Sequence, residues 1–373
     1  MTLVTVLLTV GGWCAGWWLW GRPQRLGEGL GAPSDRRVRV IIPARDEARN
    51  LPGLLGDLVA LPDRPLDILV VDDHSTDGTA AVAASFPGVS VLPAPPLPDG
   101  WTGKCWALHV GVANLVARPD DVLVFLDADV RLSPGALDAV GADLEARGGV
   151  VSVQPFHTTV RPDEQLSLFP GVIALLGTGA GKAAGNPSGL FGPIVATTAA
   201  DYEAVGGHEA VRPEVIEDAA LGQHYLGAGM ATSLRLGGDL ARFRMYPNGL
   251  GQLVEGWSKN LASGSDAIPT HRTVLAALWV IALGSAALGL PGVPGGPTPT
   301  ALVGIATYLA FVVQVRRFSR ATGTFGLASA LLYPIPLLAF MALFARSTSR
   351  TAVRRRVAWR GRMIPVRGAR GHE

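Results

Sequence analysis

Lysine is almost missing from this chain. Lys and Arg together number 32, but only Lys104, Lys182 and Lys259 are lysine, so each stands out against arginine. Cysteine is as scarce: Cys14 and Cys105 supply neither a disulfide framework nor a zinc-ligand spacing. His74, His109, His208 and His224 likewise show no metal-ligand spacing and read as structural. No Gly-x-Gly-x-x-Gly follows the first predicted strand, and no Gly-x-x-x-x-Gly-Lys-Ser/Thr occurs, so dinucleotide-dehydrogenase and P-loop readings lose their main support. There is no long run of one charge sign and no interleaving of aromatic with basic residues, which argues against a nucleic-acid partner. Charged residues make up only 17% of the chain. That is too few for an ordinary soluble enzyme, yet the acids of the middle are too many for a membrane bundle.

The apolar residues are concentrated at the two ends. Residues 2–20 form an uncharged run closing on Trp17-Trp18-Leu19-Trp20, long enough to span a bilayer, with tryptophans suited to the interface. A signal peptide is the competing reading, but a basic n-region and a small-residue cleavage site are both missing. Arg22, Arg25, Arg36, Arg37 and Arg39 follow, which puts what comes next on the cytoplasmic side. The expected division is a membrane helix at 1–21, a linker at 22–37, a soluble α/β domain at 38–264, a membrane region at 265–345 and a basic cytoplasmic tail at 346–373. Within the membrane region lie hydrophobic segments at 274–290, 301–315 and 325–344. Three full crossings there would leave the basic tail outside. Residues 325–344, broken by Pro334 and Pro336, are therefore expected to be re-entrant or interfacial.

Between the ends, strands alternate with helices, which predicts a mostly parallel, doubly wound sheet. Val38 to Ile42 reads as a strand stopped by Pro43, residues 46–60 as a helix, and Asp67 to Val71 as a second strand. Residues 79–86 read as a helix, 89–92 as a strand and 104–117 as a helix. Residues 122–126, Val-Leu-Val-Phe-Leu, are apolar without interruption and read as a strand buried on both faces. It runs into Asp127 and Asp129, whose spacing in a strand would put both carboxylates on one face. Such a pair repels unless a cation lies between, and a divalent metal is the usual answer. A lone Asp-x-Asp also fits a solvated acidic turn. Its company decides: Glu47 follows the first strand and Asp72-Asp73 end the second, at the edge where open α/β sheets bind ligands. A cleft that acidic accepts hydrogen bonds from a base edge and ribose, and holds a metal for a diphosphate.

Ile41-Ile42-Pro43-Ala44-Arg45-Asp46-Glu47, Val70-Val71-Asp72-Asp73-His74-Ser75-Thr76-Asp77 and Leu126-Asp127-Ala128-Asp129 resemble the N-terminal signatures of family 2 glycosyltransferases. The likeness continues through residues 192–208 and Val215-Ile216-Glu217-Asp218. Leu97-Pro98-Asp99-Gly100-Trp101-Thr102-Gly103-Lys104, Glu255-Gly256-Trp257-Ser258-Lys259-Asn260 and Ala358-Trp359-Arg360-Gly361-Arg362 resemble a bacterial membrane subgroup acting on hopanoids and carotenoid acids. The resemblance implies a GT-A fold and a nucleotide-diphosphate sugar donor, with UDP the expected nucleotide. It implies a lipid-type acceptor, with Mg2+ or Mn2+ as cofactor.

The same resemblance implies roles. Pro43, Glu47, Asp72, Asp73, Lys104, Asp127 and Lys259 would meet the nucleotide sugar, with Asp73 and Asp72 on the base and Glu47 on the nucleoside. Asp129 would bind the metal and Asp127 would share it with the nucleoside. Lys104 follows Gly103 at a helix start, where backbone N–H groups and an ammonium suit a phosphate. Asp218 would be the catalytic base, with Glu217 and Trp257 toward the acceptor. Where polymer-making members carry Gln-x-x-Arg-Trp, this chain has Gly256-Trp257-Ser258-Lys259-Asn260, which argues against processive synthesis. The expectation is a membrane-bound inverting glycosyltransferase. The alternatives are a processive glycan synthase and an inactive scaffold that binds nucleotide sugar. Nothing in the pattern sets the oligomeric state.

Overall fold

The structure, a computed structural model, describes residues 3–28, 35–61, 66–181, 187–214, 216–263, 268–289, 299–354, 356–359 and 362–365. The loop at 291–298, the tail from 366, Lys182, Val215, Arg360 and Gly361 lie outside the described residues, as does the side chain of Lys259.

The strands are β1 (Val38–Ala44), β2 (Leu66–Asp72), β3 (Val89–Pro93), β4 (Val122–Leu126), β5 (Val130–Leu132), β6 (Val150–Gln154), β7 (Phe156–His157), β8 (Ile194–Thr198), β9 (Thr232–Leu236), β10 (Ala241–Phe243), β11 (Arg356–Trp359) and β12 (Arg362–Pro365). The helices are α1 (Leu3–Trp20), α2 (Leu51–Val59), α3 (Thr79–Ala84), α4 (Gly103–Ala113), α5 (Ala136–Arg147), α6 (Leu168–Thr178) and α7 (Ala199–Ala204). They continue with α8 (Gly207–Ala210), α9 (Glu217–Gly227), α10 (Leu250–Ser263), α11 (Thr270–Leu288), α12 (Pro299–Thr322), α13 (Leu327–Leu331) and α14 (Pro334–Arg354). Contacts gather these into two compact units, Gln24–His157 with Asn186–Met245, and Met1–Pro23 with Thr158–Gly185 and Tyr246–Glu373.

The first unit is built on a sheet of order β3-β2-β1-β4-β8-β6-β9. Every neighbouring pair is parallel except those of β8, which opposes β4 and β6. Strict alternation makes the two faces. Val40, Ile42, Val122, Val124 and Leu126 pack under Leu51, Leu54, Leu58, Leu137 and Val140 of α2 and α5. Ile41, Val71, Leu123 and Phe125 pack on the other side against Cys105, Leu108, Tyr202, Leu221 and Tyr225 of α4, α7 and α9. Burying both faces is what the unbroken apolar runs require.

Among the boundaries that differ from the sequence expectation are those of β1, α2 and α4. β1 runs through Pro43 to Ala44, because β4 pairs with β1 only as far as Ile41. Pro43 thus lies where one side of the strand is open, the place a strand tolerates proline. α2 starts at Leu51, just after Asn50 and with Pro52 in its first turn, because Asp46 has φ +52° and cannot be helical. α4 ends at Ala113, four residues early.

The second unit is helical. Leu168, Phe169, Val172 and Leu176 of α6 pack among Leu19, Trp279, Phe311, Phe318 and Phe340. α6 is thus a core helix of the helical unit, and the sheet unit is interrupted by 158–185 rather than running unbroken from 38 to 264. Polar side chains tie the bundle internally: the Trp279 indole N–H donates to Gln314 Oε1 at 2.8 Å, and Gln314 Nε2 donates to the Trp13 carbonyl at 2.9 Å. Both bonds are worth most where water is excluded. Among the described residues, three helices are long and apolar enough to cross a membrane: α1, α11 and residues 301–322 of α12. Residues 325–344 instead form α13 and α14, separated at Leu332 and Tyr333 before Pro334.

Candidate active site

β1, β2 and β4 all end on one edge of the sheet, and their loops carry most of the predicted residues. The β1 and β2 loops are bound to each other. Asp46 Oδ1 accepts from the Thr76 N–H at 2.8 Å, Ser75 Oγ accepts from the Asp46 N–H at 3.0 Å, and Asp77 Oδ2 accepts from the Ala48 N–H at 3.0 Å. Thr79 Oγ1 accepts from the Glu47 N–H at 2.8 Å, and the Asn50 amide donates to Glu47 Oε2 at 2.8 Å. Asp46 and His74 adopt positive φ, +52° and +58°, and these cross-links hold them there.

Asp72 and Asp73 have different surroundings. Asp73 is buried, with Oδ2 3.5 Å from Arg45 Nη1 and Oδ1 3.2 Å from His74 Nδ1. Asp72 accepts the Ser75 N–H on Oδ2 at 3.4 Å, while its Oδ1 is buried with no hydrogen-bond partner among the described residues. A buried acceptor left open costs free energy until a donor arrives. Of the two, Asp72 is therefore the one with a buried acceptor oxygen left unfilled among the described residues.

β4 stops at Leu126, so Asp127 and Asp129 occupy the turn after it rather than one strand face. The Asp127 N–H donates to the Pro193 carbonyl at 3.0 Å, and its carbonyl accepts the Val130 N–H at 3.2 Å. Burial, with Asp127 and Glu47 nearby, pushes the Asp129 carboxyl up to about 7. Asp127, Asp129 and Glu47 thus form a cluster of acids, which the nearby Lys104 offsets only in part. Among the described residues, no group of three or more His, Cys, Asp or Glu could hold a metal ion by itself. Two carboxylates suit an ion that completes its shell with diphosphate oxygens and water, as Mg2+ does.

On the other side Lys104, in the first turn of α4, gathers the remaining acids. Its Nζ is 2.8 Å from Asp127 Oδ1 and 2.8 Å from Glu217 Oε1. Burial alone would lower its pKa, but Asp127, Glu217 and Asp218 raise it well above the ordinary lysine value. Glu217 and Asp218 open α9, and the Asp218 carboxylate accepts the Ala219 N–H at 2.9 Å. Burial and the adjacent Glu217 push Asp218 up to about 7. A carboxylate poised there can take a proton near neutral pH.

Gly192, to which the sequence attached no role, lies between Lys104 and Asp218. A Cβ on it would come within 2.9 Å of Asp218 Oδ2 and 3.0 Å of Lys104 Nζ. Its only signal in sequence is the glycine pair of Gly189-Leu190-Phe191-Gly192. Behind this wall His208 is buried, receives the Tyr202 hydroxyl at Nδ1 at 2.7 Å, and is pushed down by burial to about 3. It stays neutral and structural. Cys105 is buried with its thiol pushed up by burial, which leaves it inert.

Trp257 does not present itself to an acceptor. It is buried in the helical unit, edge-on to Tyr246, and its indole N–H donates to Ser167 Oγ at 3.0 Å. Its ring is used in packing, which corrects the acceptor role expected for it. Pro43, Glu47, Asp72, Asp73, Lys104, Asp127, Asp129, Glu217 and Asp218 all belong to the sheet unit, whereas Trp257 and Lys259 belong to the helical one.

Residues 39–168 match the family model described as Glycosyl transferase family 2. Over 338 residues the chain is 29% identical to the 4,4'-diaponeurosporenoate glycosyltransferase of Staphylococcus aureus (strain USA300), covering 89% of each chain. The structure matches a mannosyltransferase from Pyrobaculum calidifontis, solved in complex with GDP-Man and Mn2+, with a TM-score of 0.53. Sequence identity there is 19%, and 92% of this chain and 98% of that one are covered.

Proposed function

We propose that this chain, whose residues 39–168 belong to glycosyl transferase family 2 and whose sheet unit has the GT-A fold, is a membrane-bound inverting glycosyltransferase. It moves a sugar from a nucleotide-diphosphate donor, UDP in the first instance, to a lipid-type acceptor. The observation that carries this reading is the convergence of Asp127, Glu217 and Asp218 on Lys104, with Asp129 alongside, at the carboxyl edge of β1, β2 and β4.

Asp72 accepts from the base through its open Oδ1, and Asp73 holds the Arg45 and His74 side of the loop. Asp129 and Asp127 are the residues that would hold Mg2+ or Mn2+; when bound, the ion supplies positive charge to the leaving diphosphate. Asp218 removes the proton from an acceptor hydroxyl as that oxygen attacks the anomeric carbon. One displacement inverts the centre, so a base and a donor site suffice and no enzymic nucleophile is required. A carboxylic-acid acceptor, the class named for the S. aureus relative, arrives already ionised and attacks without help from Asp218.

Crossings by α1, α11 and α12 with the N-terminus outside put the sheet unit and the chain beyond α12 on the cytoplasmic side, together with Arg316, Arg317 and Arg320. This fits the positive-inside rule and needs no fourth crossing. The acceptor is then met at the cytoplasmic leaflet. The test compares lipid extracts from cells with and without the gene by mass spectrometry. A glycosylated lipid present only with the gene supports the reading and names sugar and acceptor together. Long polymer, or no difference in any lipid fraction, counts against it.

A further inference from the structure

Lys104 joins two halves of the site that chemistry needs to separate. Asp127 belongs with the donor and the metal, whereas Glu217 adjoins the base Asp218. One ammonium spans them, 2.8 Å from each of Asp127 Oδ1 and Glu217 Oε1. Gly192 leaves room on the same side for Asp218. A divalent ion arriving at Asp127 brings a second positive charge to a carboxylate already holding one, and the two cations repel. A diphosphate arriving with that ion offers the ammonium a partner with more charge than either carboxylate.

We propose that Lys104 is a stand-in for the metal: it ties Asp127 to Glu217 while the donor is absent, and passes to the diphosphate when metal and nucleotide bind. The change of partner gives Asp127 to the ion and withdraws the ammonium from Glu217 beside Asp218. Donor loading thereby changes the charge that faces the acceptor side. Lys104 acts as a positioning residue for Glu217 and Asp218. This inference rests on the donor-site reading above.

The experiment uses the full chain in detergent as wild type, Lys104→Met and Lys104→Arg. Mn2+ binding without nucleotide is followed by electron paramagnetic resonance, and UDP binding is then measured at saturating Mn2+. Lys104→Met should bind Mn2+ about tenfold more tightly, since a competing charge is gone. The same variant should bind UDP about tenfold more weakly, since a charge-assisted bond is lost. Lys104→Arg should keep the wild-type Mn2+ affinity. A lysine that only supports the fold would weaken both ligands together.

A second measurement needs no methionine variant. Lysine labelled with 15N gives three side-chain signals, and the one missing in Lys104→Arg should shift on adding Mg2+ with UDP. If the wild type binds both ligands but Lys104→Met leaves Mn2+ affinity unchanged or weaker, or the lysine signal stays put, the exchange is wrong. If the wild type binds neither Mn2+ nor UDP, the donor-site reading falls and takes this one with it.

Discussion

Asp218 and Lys104 face one another across the bare α-carbon of Gly192, where one added methyl would lie 2.9 Å from the carboxylate and 3.0 Å from the ammonium. Gly192→Ala should therefore push the two charges out of register while leaving the sheet intact. A loss of about 10- to 100-fold in kcat is expected, the scale set by a misplacement near 1 Å. Thermal unfolding should stay within a few degrees of the parent. An alanine variant of full activity would show that the spacing is irrelevant.

The pH profile should depend on the acceptor. Burial beside Glu217 puts Asp218 at about 7, far above its ordinary 3.8. A base works deprotonated, so the rate on an alcohol should climb tenfold per pH unit below 7 and level off above. Asp218→Asn should cost that reaction about 10^2- to 10^4-fold. On a carboxylic-acid acceptor at saturating Mn2+, the part of the acidic limb that comes from Asp218 should vanish and Asp218→Asn should keep near-normal rates. A flat profile with an alcohol would rule Asp218 out as base.

Chelation with EDTA should abolish transfer, and Mn2+ or Mg2+ should restore it. The Asp129→Asn variant should resist restoration, because Asp127 would be the one carboxylate of the pair left to hold the ion. Transfer that survives thorough chelation would remove the metal from the reaction.

Asp72 and Asp73 should behave unlike one another despite being adjacent. Replacing Asp72 by Ala removes an acceptor whose Oδ1 has no partner among the described residues. It should weaken UDP binding by about tenfold with little change in melting temperature. Asp73→Ala strips the charge facing Arg45 and His74 and should lower stability first. Calorimetry of UDP binding alongside thermal unfolding separates them; matching effects in both assays would contradict the division.

In the bundle, a Cβ on Gly12 would collide with that of Ala282, and one on Gly16 would lie 2.5 Å from the Trp279 ring. The four-residue spacing of two small residues lets α1 and α11 approach closely. Gly12→Leu should destabilise the bundle by about 1–3 kcal/mol through overpacking. The detergent-solubilised melting curve reports it, and an unchanged curve would mean that the helices do not rely on this contact.

Strand ends were readable ahead of the structure because buried strands advertise themselves as unbroken apolar runs. Whatever polar residues stop them must lie at the sheet edge, which located Asp72, Asp73, Asp127 and Asp129. The pairing of Lys104 with Glu217 was not readable, since no periodicity links residues so far apart; only the packing of α4 and α9 on the same face of the sheet brings them together. Segment 158–185 looked like part of the α/β domain because its apolar helix is only 11 residues long, too short to set it apart from the helices that flank a sheet. Trp257 was turned toward the acceptor by family resemblance alone, while its bond to Ser167 depends on a residue 90 positions away.

The close contact of α1 with α11 also sets a clock. Gly12 meets Ala282 only after roughly 270 further residues have been made, about 15–50 s at ribosomal rates of about 5–20 residues per second. Through that interval the glycine face of the first helix is unmatched, while the whole sheet unit is synthesised. A chaperone or insertase that shields this face has its longest task here. Slowing translation before α11 should lower the yield of assembled protein more than the same pause placed after it.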